Sequence, residues 1–158
     1  MKQKFVLFLL AAFFSAGSMA QTLPVSNIIN GPAFESIVVT GPVSVELIES
    51  ENPAVEALGS YEFINGTNIR WSKHQLHIYF SKAMAADSKP IKVYVKKLTS
   101  IVAEDGARIN TPKPLHSGNI WLQINGESYA RIMNYGGINV TGDENVSVRN
   151  FTYEPGKN

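Results

Sequence analysis

Residues 137–150 read GINVTGDENVSVRN, which is an alternating strand, a glycine, three polar residues and a second alternating strand. The same order of features runs through residues 121–134, WLQINGESYARIMN. Apolar and polar residues that alternate with a period of two are typical of a strand with one buried face and one exposed face. We predict the fold from this repeated pattern of strand, glycine and strand.

Two further copies of the pattern occur at residues 98–111, LTSIVAEDGARINT, and at residues 36–47, SIVVTGPVSVEL. In the second half, Gly106, Gly126 and Gly142 are expected at corners, where the backbone needs a positive φ or a close approach. One such unit cannot bury its apolar side alone, so the units are predicted to stack as a short β-solenoid does. The interior of this stack is predicted to hold Ile101, Leu122, Ile124, Ile132, Ile138, Val140, Val146 and Val148.

The first half also alternates with a period of two, and turn residues recur about every ten positions. It is predicted to form antiparallel strands, including a hairpin over residues 61–71 with Asn65-Gly66 at its turn. Residues 82–87, KAMAAD, are the one weak helical signal. The predicted fold class is all-β, with antiparallel N-terminal strands that lead into a short β-solenoid-like stack. A two-sheet β-sandwich, in which the repeats are merely similar hairpins, stays open as the alternative.

The N-terminus has the pattern of an export signal. Lys2 and Lys4 precede the apolar run FVLFLLAAFF, and small residues follow at Ser18 and Ala20. The run is too short for a stable membrane anchor. We predict a signal peptide over residues 1–20, a single domain over residues 21–158, and no transmembrane segment after cleavage. The sequence contains no cysteine, which an exported bacterial protein tolerates. The predicted location is the periplasm, the outer-membrane surface or the extracellular space of a Gram-negative bacterium.

The charge of the predicted domain argues against nucleic acid as a partner. Removal of Lys2 and Lys4 from the 14 basic residues leaves 12, against 13 acidic residues, so the formal charge is −1. A nearly neutral chain lacks the basic surface that neutralises phosphates.

A family resemblance rests on apolar and glycine positions over roughly residues 30–150. The matching positions are Phe34, Ile37, Val39, Gly41, Val43, Val45, Leu47, Leu76, Ile78, Val93, Val95, Leu98, Ile101 and, one residue late, Gly106. In this pattern the chain resembles the bacterial family called "putative autotransporter adhesin, head GIN domain". The resemblance implies a β-rich, solenoid-like fold outside the cytoplasm, and residues 21–158 are identified as one domain of this kind. The family defines no catalytic residue that could be carried over.

No metal, cofactor or catalytic site is predicted. His74 and His77 would lie on opposite faces of a strand, and His116 stands alone in a proline-rich loop. The GDEN segment at residues 142–145 lacks the ligand spacing of a calcium loop. There is no Gly-x-Ser-x-Gly motif. The chain is therefore predicted not to be an enzyme.

One surface row is the candidate binding site. If strands 75–80 and 91–97 pair, aromatic and basic side chains share an outer face that could stack on sugars or hold an anionic polymer. The simpler interpretation is that these side chains stabilise cross-strand pairs. The row consists of His77, Tyr79, Lys92, Tyr94 and Lys96.

The predicted function is that of an exported, non-enzymatic envelope protein, an adhesin-like binding or structural module whose partner is a glycan or an envelope protein. A polysaccharide-acting enzyme on a β-solenoid scaffold would need two carboxylates facing each other across the sugar. A periplasmic small-ligand carrier would need an enclosed apolar pocket. An exposed sheet edge would also favour self-association, with residues 150–158 predicted to cap that edge.

Overall fold

The computed structural model describes residues 25–80, 89–142 and 146–150. The predicted signal peptide, the helical turn predicted for residues 82–87 and the C-terminal residues 151–158 lie outside the described residues. The described elements are β1 (Val25–Asn30), β2 (Ser36–Thr40), β3 (Ser44–Glu49), β4 (Ala54–Gly59), α1 (Tyr61–Gly66), β5 (Thr67–Ser72), β6 (Gln75–Phe80), β7 (Ile91–Val95), β8 (Ser100–Glu104), β9 (Arg108–Asn110), β10 (Ile120–Ile124), β11 (Tyr129–Asn134), β12 (Ile138–Gly142) and β13 (Val146–Asn150).

The strands form two mixed sheets. The seven-stranded sheet has the order β1-β4-β7-β3-β9-β11-β13, and the six-stranded sheet has the order β12-β10-β8-β2-β6-β5. Among the described strands neither sheet closes into a barrel, and each sheet buries alternate residues of its strands in the core cluster. The predicted all-β fold is confirmed, and its form is a two-sheet arrangement.

The strand–glycine–strand units stack in parallel register. Each unit gives its first strand to the six-stranded sheet and its second strand to the seven-stranded sheet. Ile101 pairs with Leu122, and Leu122 pairs with Val140 on the next strand. The first-half unit joins the same stack, because β2 pairs with β8 and β3 pairs with β9, both in parallel. Translation of one unit onto the next keeps the strand direction, which explains the parallel pairing.

The predicted corner glycines lie where the two strands of each unit meet. Gly41, Gly106, Gly126 and Gly142 all have positive φ, between 58° and 105°. A Cβ at Gly142 would collide with the carbonyl oxygen of Ile124 on the preceding unit. Successive corners also bond directly, since the N–H of Gly106 donates to the carbonyl of Gly126 at 2.8 Å. The glycines therefore allow neighbouring corners to stack at backbone distance.

The interior follows the prediction except at the last strand of the stack. Ile101, Leu122, Ile124 and Ile132 are buried, and Ile138 is half-buried against the core cluster. Each fully buried aliphatic side chain of this size stabilises the fold by about 1.5–3 kcal/mol.

The prediction for Val140 is wrong, because 40% of its surface is exposed. Strand β12 is the last strand of its sheet and has one described neighbour, β10, so its core-facing side is only partly covered. The side chains of Val146 and Val148 lie outside the described residues.

Antiparallel pairing in the first half is confirmed for some strands and replaced by parallel pairing for others. The β1–β4, β4–β7 and β5–β6 pairs are antiparallel. Strands β2 and β3 instead pair in parallel with β6 and β7. The reason is that β2 and β3 belong to a strand–glycine–strand unit and take the direction of the stack.

The hairpin turn predicted at Asn65-Gly66 is wrong, since these residues end helix α1. The Ser60 hydroxyl caps this helix by accepting a hydrogen bond from the N–H of Phe63 at 3.2 Å, and the Phe63 ring is buried against Phe80. The cap and the buried ring outweigh the turn preference of Asn-Gly. The hairpin predicted over residues 61–71 therefore does not form. A different hairpin joins β5 and β6, where residues 73 and 74 make the turn and Lys73 has a φ of 54°.

Candidate functional site

The structure does not bring the five predicted binding residues together. His77 and Tyr79 lie on β6 in the six-stranded sheet, whereas Lys92 and Tyr94 lie on β7 in the seven-stranded sheet. Lys96 follows β7 directly. The two strands do not pair, so the condition for one shared surface row is not met. The row is divided between the two outer faces of the molecule.

The residues on β7 belong to a cross-strand network with the neighbouring strand β4. The Tyr94 hydroxyl donates a hydrogen bond to Oε2 of Glu56 at 2.8 Å, and Nζ of Lys92 lies 3.5 Å from the same oxygen. The hydrogen bond to Glu56, then burial, and then the negative charge of Glu56 raise the pKa of Tyr94 above its ordinary value of 10.0. Lys96 forms an ion pair with Glu51. These side chains are satisfied within the chain, which fits the simpler interpretation as cross-strand pairs.

The residues on β6 face outward on the other sheet. The Tyr79 ring is 50% exposed and has Asn68 and Thr40 as its cross-strand neighbours. His77 is half-buried, and its Nε2 lies 2.8 Å from Oε1 of Gln75. These two side chains point into solvent from a surface that has few charges.

The largest exposed ring on this surface was missed from the sequence. Trp121 on β10 is 60% exposed, and its neighbours along the ladder are Ser100 and Asn139. Their short polar side chains cannot cover an indole ring. The signal was available, because the alternation of residues 120–124, IWLQI, places Trp121 and Gln123 outside while Ile120, Leu122 and Ile124 are buried.

We call the outward surface of β6, β2, β8 and β10 the aromatic face, with Tyr79 at one corner and Trp121 at the other. Three strand spacings and four residues of rise separate these two rings, which corresponds to roughly 20 Å along the diagonal. Hydroxyl, amide, imidazole and half-buried valine side chains lie between them. They are Ser36, Val38, Thr40, Gln75, His77, Ser100, Val102 and Gln123.

The aromatic face carries little charge. Among the strand residues described on this sheet, Glu104 is the one carboxylate, and its Oε2 accepts a hydrogen bond from Oγ1 of Thr40 at 3.3 Å. Arg70 on β5, the cross-strand partner of His77, is the one lysine or arginine among them. Exposed rings beside neutral hydrogen-bonding groups can stack on the C–H face of a sugar ring and bond its hydroxyls. The face therefore has the chemistry that binds an uncharged polar polymer.

A separate pocket of about 380 Å³ lies on the outer face of the seven-stranded sheet. It is formed where β3, β9 and β11 run side by side, and Pro90 forms part of its wall. Two arginines, Arg108 and Arg131, line it together with Tyr129 and Glu46. None of these residues was identified as a site residue from the sequence, because their proximity depends on the register of three strands.

Two other features concern metal ligands and membrane spans. Within residues 25–80, 89–142 and 146–150, no three histidine or acidic side chains are grouped as metal ligands would be. The same part of the chain contains no helix that is long and apolar enough to cross a membrane.

Comparison with known proteins identifies a family model and several solved structures. The model described as "Putative auto-transporter adhesin, head GIN domain" matches residues 33–149. No curated protein matches the chain. A "putative adhesin" from Parabacteroides distasonis ATCC 8503 is 20% identical with a TM-score of 0.64, and the match covers 81% of this chain and 57% of that chain.

Two more crystal structures share the fold. A "putative adhesin" from Parabacteroides merdae ATCC 43184 is 17% identical with a TM-score of 0.53, and the match covers 78% of this chain and 59% of that chain. A "putative adhesin" from Bacteroides fragilis NCTC 9343 is 11% identical with a TM-score of 0.58, and the match covers 79% of this chain and 72% of that chain. This chain thus spans less than two thirds of the length of the two Parabacteroides proteins. At these identities the likeness concerns the fold alone.

Proposed function

We propose that this chain, which belongs to the "Putative auto-transporter adhesin, head GIN domain" family, is an exported, non-enzymatic binding module of the bacterial cell envelope. The proposed ligand is a neutral glycan, bound on the aromatic face. The family is named for adhesins, and we propose a role in attachment for this chain as well. The signal peptide predicted over residues 1–20 supports export to the periplasm, the outer-membrane surface or the extracellular space.

The exposed indole of Trp121 is the observation that carries the proposal. The ring is 60% exposed on a regular strand, because the two neighbouring strands place only Ser100 and Asn139 beside it. Exposed aromatic rings on a rigid sheet are typical anchors of binding surfaces, because they bury much area and lose little conformational entropy. Tyr79, 50% exposed, supplies a second ring on the same face.

The composition of the face supports a neutral glycan over a charged partner. The side chains between the two rings are hydroxyls, amides, one imidazole and two valines, and the Glu104 carboxylate is engaged by Thr40. A nucleic acid or an acidic polymer would require a row of free cations, which this face does not offer in its described strands. A saccharide requires aromatic stacking and neutral hydrogen bonds instead.

The disposition of carboxylates supports a binding module over a glycosidase. Hydrolysis needs two carboxylates that face each other across the sugar, and the described strands of the aromatic face contribute Glu104 alone. On the opposite sheet, Glu46 and Glu56 flank Lys92, and Glu56 is held by Lys92 and Tyr94. That arrangement stabilises the sheet.

The test is an array of neutral oligosaccharides of glucose, galactose and mannose, followed by titration calorimetry with the sugars that bind. Trp121→Ala and Tyr79→Ala should each weaken binding about tenfold, since loss of an aromatic anchor costs about 1.4 kcal/mol or more. Tyr61→Ala is the matched control, because Tyr61 is 72% exposed but lies on α1, away from the face. Equal affinity of the Trp121→Ala variant and the wild type would refute the proposal.

A further inference from the structure

The pocket on the outer face of the seven-stranded sheet lies on the opposite side of the molecule from the aromatic face. Its volume of about 380 Å³ falls within the range of about 300–1,000 Å³ that is typical of small-ligand sites. Two rows of side chains cross it. One row runs from Ser44 through Arg108 to Tyr129, and the other contains Asn110.

The two arginines are close neighbours on this surface. Arg108 and Arg131 lie on adjacent strands and are offset by two residues, which puts their Cα atoms about 8 Å apart. Both side chains are exposed, and in the described part of the chain neither forms an ion pair. The lysines of the same sheet differ, because Lys92 is paired with Glu56 and Lys96 with Glu51.

The carboxylate that lines the pocket forms no ion pair with either arginine in the described residues, although Glu46 is offset from Arg108 by two residues on the adjacent strand. Glu46 stands in the second row, and Asn110 lies between Glu46 and Arg131. Two arginine side chains whose Cα atoms lie this close can both reach one anion, which would offset the repulsion between their like charges. Arg108, Arg131 and Glu46 together give the pocket a net charge of +1, which matches one carboxylate better than a doubly charged phosphate.

The remaining lining suits the body of a sugar. Ser44, Asn110 and Glu46 offer donors and acceptors to hydroxyl groups, and the exposed ring of Tyr129 beside Arg108 offers a stacking surface. We propose that this pocket binds a saccharide that carries a carboxylate, a hexuronate, with Arg108 and Arg131 holding the carboxylate. This site is independent of the neutral-glycan site, because the two lie on different sheets.

The test is titration calorimetry of the full chain with oligogalacturonate, its carboxyl-reduced neutral counterpart and inorganic phosphate. Arg108→Gln and Arg131→Gln should each weaken oligogalacturonate binding about ten- to hundredfold, as expected for loss of a charge-assisted hydrogen bond. Lys97→Gln is the charge-matched control. Lys97 is an exposed cation that follows the C-terminal end of β7, whereas Pro90 in the pocket wall precedes its N-terminal end. The affinity of this variant should equal that of the wild type.

A further variant tests the selectivity for a single negative charge. Glu46→Gln should bind phosphate more tightly than the wild type does, because the pocket charge rises from +1 to +2. The thermal midpoint of each variant checks that it is folded.

The proposal is overturned if the wild type does not bind oligogalacturonate, if the neutral oligosaccharide or phosphate binds as tightly, or if Lys97→Gln weakens binding as much as the arginine variants do. Loss of binding in Trp121→Ala but not in Arg108→Gln would assign oligogalacturonate to the aromatic face and would also overturn it. If no sugar binds in the neutral-glycan array, the proposal for this pocket is not affected, because the two sites lie on different sheets.

Discussion

Nδ1 of His116 lies 2.7 Å from Oε2 of Glu49, although 67 residues separate them in sequence. The imidazole also stacks on the ring of Tyr135, with ring centroids 4.4 Å apart. The contact joins the loop between β9 and β10 to the end of β3. His116, which stands alone in the sequence, therefore has a structural role in holding that loop.

The two parts of this contact should contribute unequally to stability. Glu49→Gln should lower the free energy of unfolding by less than about 1 kcal/mol, because both partners are substantially exposed and solvent screens the pair. His116→Ala should cost more, since it also removes the ring stack on Tyr135. Urea denaturation of both variants checks this, and an equal loss in the two would contradict the stacking contribution.

The corner at Gly41 should tolerate no side chain. Its φ is +95°, and a Cβ would collide with the carbonyl oxygen of Phe80. Gly41→Ala should therefore destabilise the protein by about 2 kcal/mol or more. Gly118→Ala is the control, because a Cβ there meets nothing within 4 Å and the backbone is outside the left-handed region. Chemical denaturation that gave both variants the same midpoint would show that the corner is not constrained.

Asn134 should be the most sensitive polar side chain among those described. It is fully buried, its Oδ1 accepts a hydrogen bond from the N–H of Ser117 at 3.2 Å, and its Nδ2 donates to the carbonyl of Gly118 at 2.9 Å. Asn134→Ala should cost about 2–4 kcal/mol, because it leaves the buried N–H of Ser117 and the carbonyl of Gly118 without this partner. Asn119→Ala, which removes one exposed hydrogen bond from the N–H of Gly137, should cost clearly less. Thermal unfolding of the two variants measures the difference.

Tyr94 should make stability depend on pH at the alkaline end. Its pKa is raised in the folded chain, so the folded state holds the phenol proton more tightly than the unfolded state does. This contribution is present in full below pH 10.0, the ordinary tyrosine value, and is lost as the pH rises through the folded-state pKa. Stability should fall more gently with pH in Tyr94→Phe, as measured by denaturation at several alkaline pH values.

The same tyrosine offers a second measurement. Glu56→Gln removes the charge and weakens the acceptor, so tyrosinate absorbance should develop at lower pH than in the wild type. An unchanged titration curve would mean that Glu56 does not control the Tyr94 proton.

Leu122 and Val140 are paired neighbours that should respond differently to truncation. Leu122 is buried inside the stack, whereas Val140 on the last described strand is 40% exposed. Leu122→Ala should cost about 3 kcal/mol, and Val140→Ala less than about 1 kcal/mol. Guanidinium denaturation checks both, and a similar cost for the two would mean that something covers β12 in solution.

Much of the fold was predictable because alternation and glycine are local properties. The patterns around Ile101, Leu122 and Ile132 identified the buried face of each strand, and Gly106 and Gly126 marked the corners. The helix at residues 61–66 was not predicted, because the Ser60 cap stabilises so short a helix only together with the burial of Phe63 in the core. Trp121 was recognisable as an outward residue, but its exposure depends on the small side chains of two neighbouring strands.

Local sequence patterns predicted most of the strands, most of their buried faces, the glycine corners and the resemblance to the family, since each depends on residues close together in the chain. Which strands are neighbours followed from the three-dimensional structure alone. The tertiary structure separated Tyr79 from Tyr94 by assigning β6 and β7 to different sheets, and it brought Arg108 beside Arg131 through the register of β9 and β11. The physical reason is that a period of two fixes which way a side chain points, whereas pairing depends on contacts between distant segments.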